Sequence, residues 1–306
     1  MSILLICTGR DPKVWVDAIK AEKPDVKLYV YPEKHDPNEI DYAVTWKHPK
    51  GLFNNYSNLE VIASIGAGVD HIISDPEIPK DIVITRVVDE QLTKDMSAFV
   101  LALVLDKMRN ISLHHAEKKW NPLPYQTLEE EQIGIMGLGV LGKAAALTLA
   151  KNGLKVSGWS KSKKHIEGVS TYNGKNGLND FLKNTSILIC LLPLTSETEN
   201  ILSKELFEKL PNGAYLINIA RGQHLVEQDL LEMLDKEHLS GASLDVFRTE
   251  PLPEEHPFWK HPKVHVSPHI ASVTDPKKVV SQLMENYDRL QNDKPMKNVV
   301  ELEKEY

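Results

Sequence analysis

Short runs of β-favouring apolar residues alternate with polar, helix-compatible stretches from the first residues onward: SILLICTG, VKLYVYP, DYAVTWK, LEVIASIGAG and IVITRVV. Each run is apolar at odd and even positions alike, the signature of a strand buried on both faces. The alternation predicts a parallel sheet flanked by helices. From Met96 to about Lys118 no Gly or Pro intervenes, and Phe99, Val100, Leu103, Val104 and Met108 recur at helical spacing, which predicts one long helix leaving the first domain. Asn121-Pro122-Leu123-Pro124 breaks the pattern, and a second series begins: EQIGIMG, LKVSGWS, TSILICLLP, GAYLINIARG, SGASLDVF and KVHVSPH. Six strands with intervening helices predict a second doubly wound sheet. After His269 the helix-compatible stretch DPKKVVSQLMENYDRLQ is too short for a third domain and is expected to return to the first. The predicted organisation is thus 1–97 and 270–306 in one domain and 98–269 in the other, with a ligand cavity in the cleft between them.

Composition narrows the class. A chain of 306 residues exceeds what one hydrophobic core usually serves, and 42% hydrophobic with 26% charged residues describes a soluble globular protein, not a disordered one. The net charge of −7 disfavours a nucleic-acid partner. Cys7 and Cys190 lie inside apolar runs and read as two buried thiols in a reducing compartment. The N-terminus lacks a basic segment ahead of its apolar run, and the stretch from Ala98 to Leu105 cannot span a bilayer, so a cytoplasmic protein without a membrane partner is expected. His256, His261, His265 and His269 suggest zinc, but Pro262 and Pro268 oppose a helix, and four residues of strand span about 13 Å, too far for ligands of one ion. No metal is expected.

The loop Gly137-Leu138-Gly139-Val140-Leu141-Gly142 follows the strand Gln132 to Met136 and precedes the helix-like KAAAL, the context in which a GxGxxG sequence binds a dinucleotide. Gly137 allows the tight turn, Gly139 lets backbone approach a pyrophosphate, and Gly142 permits close helix–strand packing. A ligand-free tight turn is the plainer alternative. At the end of the next strand, where NAD-binding folds carry an acidic residue for the ribose, the sequence reads Trp159-Ser160-Lys161-Ser162-Lys163-Lys164. Hydroxyls and lysines suit a 2′-phosphate, so NADP is the expected cofactor, with NAD the weaker alternative; a merely solvated basic loop is the other reading.

Three more strand ends carry polar groups: Ile219-Ala220-Arg221-Gly222, Asp245-Val246-Phe247-Arg248-Thr249-Glu250 and Ser267-Pro268-His269. Reducing a 2-keto acid needs a cation for the carboxylate, an acid for the new alkoxide and a partner for that acid. Arg221, His269 and Glu250 supply the three, because a carboxylate beside an imidazole orients it and favours its protonated form. Singly, Arg221 also reads as an interdomain salt bridge, Glu250 as a solvated residue and His269 as a satisfied strand-end histidine.

These residues resemble the D-isomer-specific 2-hydroxyacid dehydrogenase family, closest to its glyoxylate/hydroxypyruvate reductase A branch. The likeness rests on GAGVD at 66–70, GIMGLGVLG at 134–142, WSKSKK at 159–164, LLPLTSET at 191–198, INIARG at 217–222, LDVFRTEPLP at 244–253 and SPHIAS at 267–272. It implies an α/β fold of two doubly wound parallel-sheet domains, one Rossmann-type for the nucleotide and one flavodoxin-like for the substrate. It implies Arg221, Glu250 and His269 as catalytic residues, with Arg221 and His269 also touching substrate. Backbone amides of Ala67, Gly68 and Val69 would hold the substrate carboxylate. Trp46 would wall the pocket, although a lone aromatic reads equally as core. The cofactor would lie along Gly137, Gly139, Val140, Leu141, Gly142, Trp159, Ser160, Lys161, Ser162, Lys163, Leu192, Pro193, Thr198, Ile219, Ala220, Ala271 and Ser272, with Asp245 near the nicotinamide carboxamide. A homodimer is implied through an arm over Lys107 to Tyr125. Ser160 replaces the usual acidic residue, and lysines stand where the branch commonly has arginines. The expected activity is NADP-preferring reduction of glyoxylate and hydroxypyruvate to glycolate and D-glycerate. The rivals are an NAD-linked dehydrogenase of lactate or phosphoglycerate type, a dinucleotide-sensing corepressor without catalysis, and a hydrolase holding NAD as a trapped redox cofactor, for which the chain is too short.

Overall fold

The computed structural model describes residues 2–117, 120–123 and 125–301. In chain order the elements are β1 (Ser2–Cys7), α1 (Lys13–Glu22), β2 (Leu28–Val30), β3 (Ile40–Trp46), β4 (Val61–Ser64), α2 (Asp70–Ile73), β5 (Val83–Thr85), α3 (Glu90–Arg109), α4 (Ile111–Glu117), β6 (Gln132–Met136), α5 (Val140–Lys151), β7 (Lys155–Ser160) and β8 (Ser170–Asn173). They continue with α6 (Gly174–Leu182), β9 (Ile187–Cys190), α7 (Lys204–Phe207), β10 (Ala214–Asn218), α8 (Glu227–Asp235), β11 (Leu239–Leu244), β12 (Val264–Val266) and α9 (Pro276–Gln291). The chain divides into two compact units, one running up to Leu92 and resuming at Val273, the other spanning Thr93–Ser272. The changeovers fall inside α3 and just after the 267–272 loop, where the sequence pattern had placed them at 97/98 and 269/270.

In the first unit five parallel strands lie in the order β2-β1-β3-β4-β5. Alternate residues go to opposite faces, which is why the strand sequences are apolar throughout. Ile3, Leu5, Tyr42, Val44, Val61 and Ala63 share one core with Trp15 and Ile19 of α1 and with Val279, Leu283, Met284 and Tyr287 of α9. Leu4, Ile6, Ala43 and Ile62 share the other with Phe53, Tyr56, Ile72 and Ile82. The buried Tyr42 hydroxyl donates to the Leu283 carbonyl at 3.0 Å, so the C-terminal helix is tied to this sheet by a hydrogen bond as well as by packing.

The second unit carries seven parallel strands in the order β12-β11-β10-β9-β6-β7-β8. The pattern predicted six. The unforeseen strand, β8, is Ser-Thr-Tyr-Asn at the sheet edge and partly solvated, so it needs no apolar run. Ile133, Ile135, Ile187, Ile189 and Ile217 pack with Ala145, Ala146 and Leu149 of α5 and with Val100, Val104 and Met108 of α3. On the opposite face Met136, Leu188, Cys190, Leu216 and Leu244 meet Phe181, Leu230, Met233 and Leu234.

The single helix expected over Met96 to Lys118 is two. α3 begins at Glu90 and stops at Arg109, because Asn110 takes a left-handed backbone conformation at φ 54°, and the Asp106 carboxylate accepts from the Ser112 N–H at 2.9 Å and its hydroxyl at 3.0 Å. Lys118 lies outside the described residues. The two thiols also differ: Cys190 is fully buried, and burial pushes it up to about 12, whereas Cys7, at the end of β1, is partly exposed and is pushed up to about 11 despite the opposing charge of Arg10.

The turn after β6 is tightly packed. A Cβ on Gly142 would stand 1.8 Å from the Gly137 carbonyl oxygen, a backbone atom that cannot swing aside. Gly142→Ala is therefore expected to lower the unfolding free energy by about 1–3 kcal/mol, read as a reduced urea midpoint. An unchanged midpoint would show that the turn has slack.

Candidate active site

Every strand of the second unit's sheet ends at the same edge, and β6 has β7 on one side and β9 on the other, so the chain leaves β6 in one direction and later returns to fill the other. Ligand crevices in parallel sheets form at such a reversal. The glycine loop sits there. Gly137 has φ 103°, and a Cβ on it would lie 2.5 Å from the Leu191 carbonyl oxygen, whereas a Cβ on Gly139 would meet no atom within 4 Å. α5 starts at Val140, with Val140 exposed and Leu141 partly so, and no side chain caps its first N–H groups. An open approach at Gly139 facing the uncapped end of a twelve-residue helix fits a pyrophosphate.

Around this loop the expected contact residues fall into two sets. Trp159 is buried and its indole N–H donates to the Gly174 carbonyl at 2.9 Å, while its own carbonyl accepts from Gly137 N–H at 2.9 Å, so its role is to hold the glycine turn. Leu192, Ile219, Ala220 and Ala271 are likewise buried, leaving backbone as what they can present. The Ser160 hydroxyl donates to the Ser162 carbonyl at 2.7 Å and shapes the loop. Ser162 and Lys163 are exposed, and the Lys161 ammonium pairs with Glu197 at 2.7 Å, with side chains 75% and 67% exposed. The Thr198 hydroxyl donates to the Pro193 carbonyl at 2.6 Å and accepts from Thr195 N–H at 2.8 Å, fixing the turn that presents Glu197. Glu197 was not read from the sequence, since a carboxylate in a polar turn looks solvated.

The acid group is assembled at the ends of β10, β11 and β12. His269 Nδ1 lies 3.1 and 3.0 Å from the two oxygens of Glu250, a carboxylate that also accepts from the Phe247 N–H at 3.2 Å. A carboxylate only accepts, so Nδ1 carries the proton of this bond and Nε2 is the ring's other face. His269 has a left-handed backbone, φ 54°, uncommon for a residue with a side chain. Asp245, 1% exposed, holds it there: one carboxylate oxygen accepts from the Ser267 hydroxyl at 2.6 Å and Ile270 N–H at 3.0 Å, the other from Ala271 N–H at 2.9 Å. In this structure the Asp245 carboxylate is thus engaged by the 267–271 loop, with Ser272 partly exposed beyond it. His256 and His261 pair separately with Glu227 at 3.4 Å and Asp235 at 3.6 Å.

Arg221 reaches this group through the backbone. A Cβ on Gly222 would lie 1.9 Å from the carbonyl carbon of Phe247 and 2.3 Å from Arg248 N, so the segments carrying Arg221 and Glu250 touch main chain to main chain. The Arg221 guanidinium donates to the Ala220 carbonyl at 2.7 Å, and the Arg221 backbone N–H donates to Nδ1 of the buried His224 at 3.2 Å, whose Nε2 lies 3.2 Å from the Pro193 carbonyl. Asn218, also buried, accepts from Ala220 N–H at 3.3 Å and donates to the Arg221 carbonyl at 3.0 Å. Sequence reasoning missed Asn218, His224 and Ser267; a His three residues after Arg221 was the one available hint.

In the first unit the turn after β4 presents the N–H groups of Ala67, Gly68 and Val69, which take no hydrogen-bond partner among the described residues. The Ser64 hydroxyl braces the turn, donating to the Gly68 carbonyl at 2.9 Å and accepting from Gly66 N–H at 3.2 Å. Trp46, partly buried at the end of β3, lies so close to Gly66 that a Cβ there would be 2.9 Å from its ring. The segment after Trp46 is anchored by Asp75, which accepts from His48 Nε2 at 3.0 Å and Gly51 N–H at 2.9 Å. Burial lowers His48 from the ordinary histidine value against the pull of Asp75.

Comparison with known proteins identifies the family. Residues 100–271 match the family described as D-isomer specific 2-hydroxyacid dehydrogenase, NAD binding domain. The chain is 36% identical to a glyoxylate/hydroxypyruvate reductase A of Photorhabdus laumondii, with 100% of each chain covered. Its fold is similar to that of a D-isomer specific 2-hydroxyacid dehydrogenase from Xanthobacter autotrophicus solved with NADPH and MES, at TM-score 0.93 and 35% identity over 100% of this chain and 99% of that one. It is similar also to an NADPH-dependent glyoxylate/hydroxypyruvate reductase from Sinorhizobium meliloti solved with NADP and sulfate, at TM-score 0.92 and 37% identity over 100% of both chains. The chain therefore belongs to the D-isomer specific 2-hydroxyacid dehydrogenase family and is an oxidoreductase that uses a nicotinamide dinucleotide.

Proposed function

We propose that this protein is an NADP-preferring reductase of small 2-keto acids, converting glyoxylate and hydroxypyruvate to glycolate and D-glycerate. The observation that carries the reading is the imidazole of His269 held by both oxygens of Glu250, which aims Nε2 outward as a proton donor. When bound, the nicotinamide supplies the hydride that reduces the keto carbon. His269 Nε2 gives its proton to the developing alkoxide, and Glu250 stabilises the charge that the ring carries before that transfer. Arg221 holds the substrate carboxylate and polarises the ketone, and the amides of Ala67, Gly68 and Val69 are further carboxylate-binding groups. Trp46 walls the pocket. Gly139 and the start of α5 would hold the pyrophosphate, and Ser162, Lys161 and Lys163 would hold the 2′-phosphate.

Two relatives solved with NADPH or NADP support this cofactor preference. The reductase reading is favoured over an NAD-linked dehydrogenase by the absence of a ribose-binding carboxylate at Ser160, and over a non-catalytic sensor by the Glu250–His269 pair. Free thiols at Cys7 and Cys190 agree with a reducing compartment. The segment from Ile111 to Leu128 leaves Ile111, Leu113, Trp120, Tyr125 and Leu128 exposed, which supports a homodimer formed through this arm; residues 118, 119 and 124 lie outside the described chain.

Steady-state rates on glyoxylate, hydroxypyruvate and pyruvate with NADPH and NADH test the assignment, and no turnover of any keto acid would return the protein to the sensor class. His269→Ala should lower kcat by roughly 10²–10⁴-fold with little change in KM, whereas Arg221→Ala should lower kcat and raise KM together. Normal kinetics in both variants would end the mechanism. Lys161→Ala should raise KM for NADPH more than for NADH, and Glu197→Gln should lower it, because the carboxylate competes with the 2′-phosphate for the same ammonium. Equal shifts for both cofactors would remove these residues from 2′-phosphate recognition. Light scattering should give twice the chain mass, and Trp120→Asp with Ile111→Asp should reduce it to the monomer; a monomeric wild type would exclude the dimer.

A further inference from the structure

β9 and β10 are parallel neighbours with Cys190 opposite Asn218, so the segments that leave them, 191–202 and 219–226, start side by side. Main chain fastens their far ends: Asn200 N–H donates to the Gln223 carbonyl at 2.9 Å, Leu202 N–H to the His224 carbonyl at 2.9 Å and Val226 N–H to the Leu202 carbonyl at 3.0 Å. Their near ends, where Pro193 and Arg221 lie, are bridged by the side chain of the fully buried His224.

The partners of this ring fix its proton. The Pro193 carbonyl only accepts, so Nε2, 3.2 Å away, carries the proton, and the bare Nδ1 accepts from the Arg221 backbone N–H at 3.2 Å. The Arg221 carbonyl, 3.1 Å from the same nitrogen, accepts instead from the Asn218 amide at 3.0 Å. The Pro193 carbonyl also accepts from the Thr198 hydroxyl at 2.6 Å, which anchors it from the other side. The imidazole therefore acts as a strut whose held end is the backbone of Arg221.

We propose that His224 is a positioning residue for the reduction: it fixes Arg221 against the Pro193 segment, so that the guanidinium meets a keto acid in register with the cofactor. The inference rests on the roles of Arg221 and of the 192–198 segment given under the proposed function. Reacting groups tolerate little misplacement, and a cation on a long side chain inherits every shift of its backbone. His224 touches neither ligand in this scheme and acts through Arg221 alone.

Two variants divide the strut. His224→Asn keeps an acceptor for the Arg221 N–H and is too short for Pro193, whereas His224→Gln keeps a donor for Pro193 and gives up the acceptor at Nδ1. Calorimetry measures the Kd of NADP⁺ and, on the NADP⁺ complex, the Kd of oxalate, a two-carbon acid that cannot take the hydride. In both variants the oxalate Kd should rise by roughly 3- to 10-fold, and the NADP⁺ Kd should hold because Thr198 still anchors the Pro193 carbonyl. In an Arg221→Ala background, His224→Asn should change kcat/KM for glyoxylate by less than about twofold, since the residue it acts through is gone. Wild-type oxalate affinity in His224→Asn would mean that the ring only caps its own turn, and equal weakening of NADP⁺ and oxalate in both variants would mean a general loosening. Either result, or a full further loss in the Arg221→Ala background, overturns the proposal while the reductase reading stands. A wild type that neither binds oxalate nor reduces a keto acid overturns both.

Discussion

The acid half of this site depends on one buried carboxylate. Asp245 sits at the end of β11 almost without exposure, and taking a carboxylate out of water is costly unless its lone pairs are used. Here they accept from the Ser267 hydroxyl and the N–H groups of Ile270 and Ala271. Hydrogen bonds to a charged group contribute about 1.5–3 kcal/mol each, against about 1–3 kcal/mol for a side-chain-bearing residue in the left-handed region. Three such bonds therefore outweigh the strain at His269. The strained backbone in turn aims the imidazole at Glu250, so the proposed proton donor is set by a residue that need not touch substrate.

A second constraint joins the pieces. β10 and β11 are neighbours in a parallel sheet, and their exits run so close that Gly222 has no room for a side chain beside Phe247 and Arg248. Arg248 adds to this seam by donating to the Leu225 carbonyl at 2.9 Å and the Gln223 carbonyl at 3.2 Å. Arg221 and Glu250 are thereby placed by main-chain contact, which is stiffer than any pairing of their long side chains would be. Asn218 and His224, both buried, tie off the remaining polar groups of the turn.

The pair proposed to read the 2′-phosphate is held differently. Lys161 and Glu197 form an exposed pair, and such pairs contribute only about 0–1 kcal/mol, so an arriving phosphate dianion can take the ammonium at small cost.

Much of this was legible in the residue order. Runs apolar at both parities identify strands buried on both faces, a glycine loop between strand and helix points to a dinucleotide, and Arg221, Glu250 and His269, proposed as the reduction centre, stand at strand ends, because each reflects a local rule of backbone or chemistry. β8 escaped because an edge strand needs no apolar pattern, and the break at Asn110 because a single left-handed residue leaves no periodic trace. The engagement of Asp245 by the His269 loop, the contact of Gly222 with Phe247, the pairing of Lys161 with Glu197 and the stacking of Arg10 on Trp46 join residues 22 to 36 positions apart along the chain. Sequence alone determined which chemical groups are present and which strand ends carry them. Only the tertiary structure decided which groups meet, because parallel strands become neighbours through crossovers whose order in the sheet is not written in any one segment.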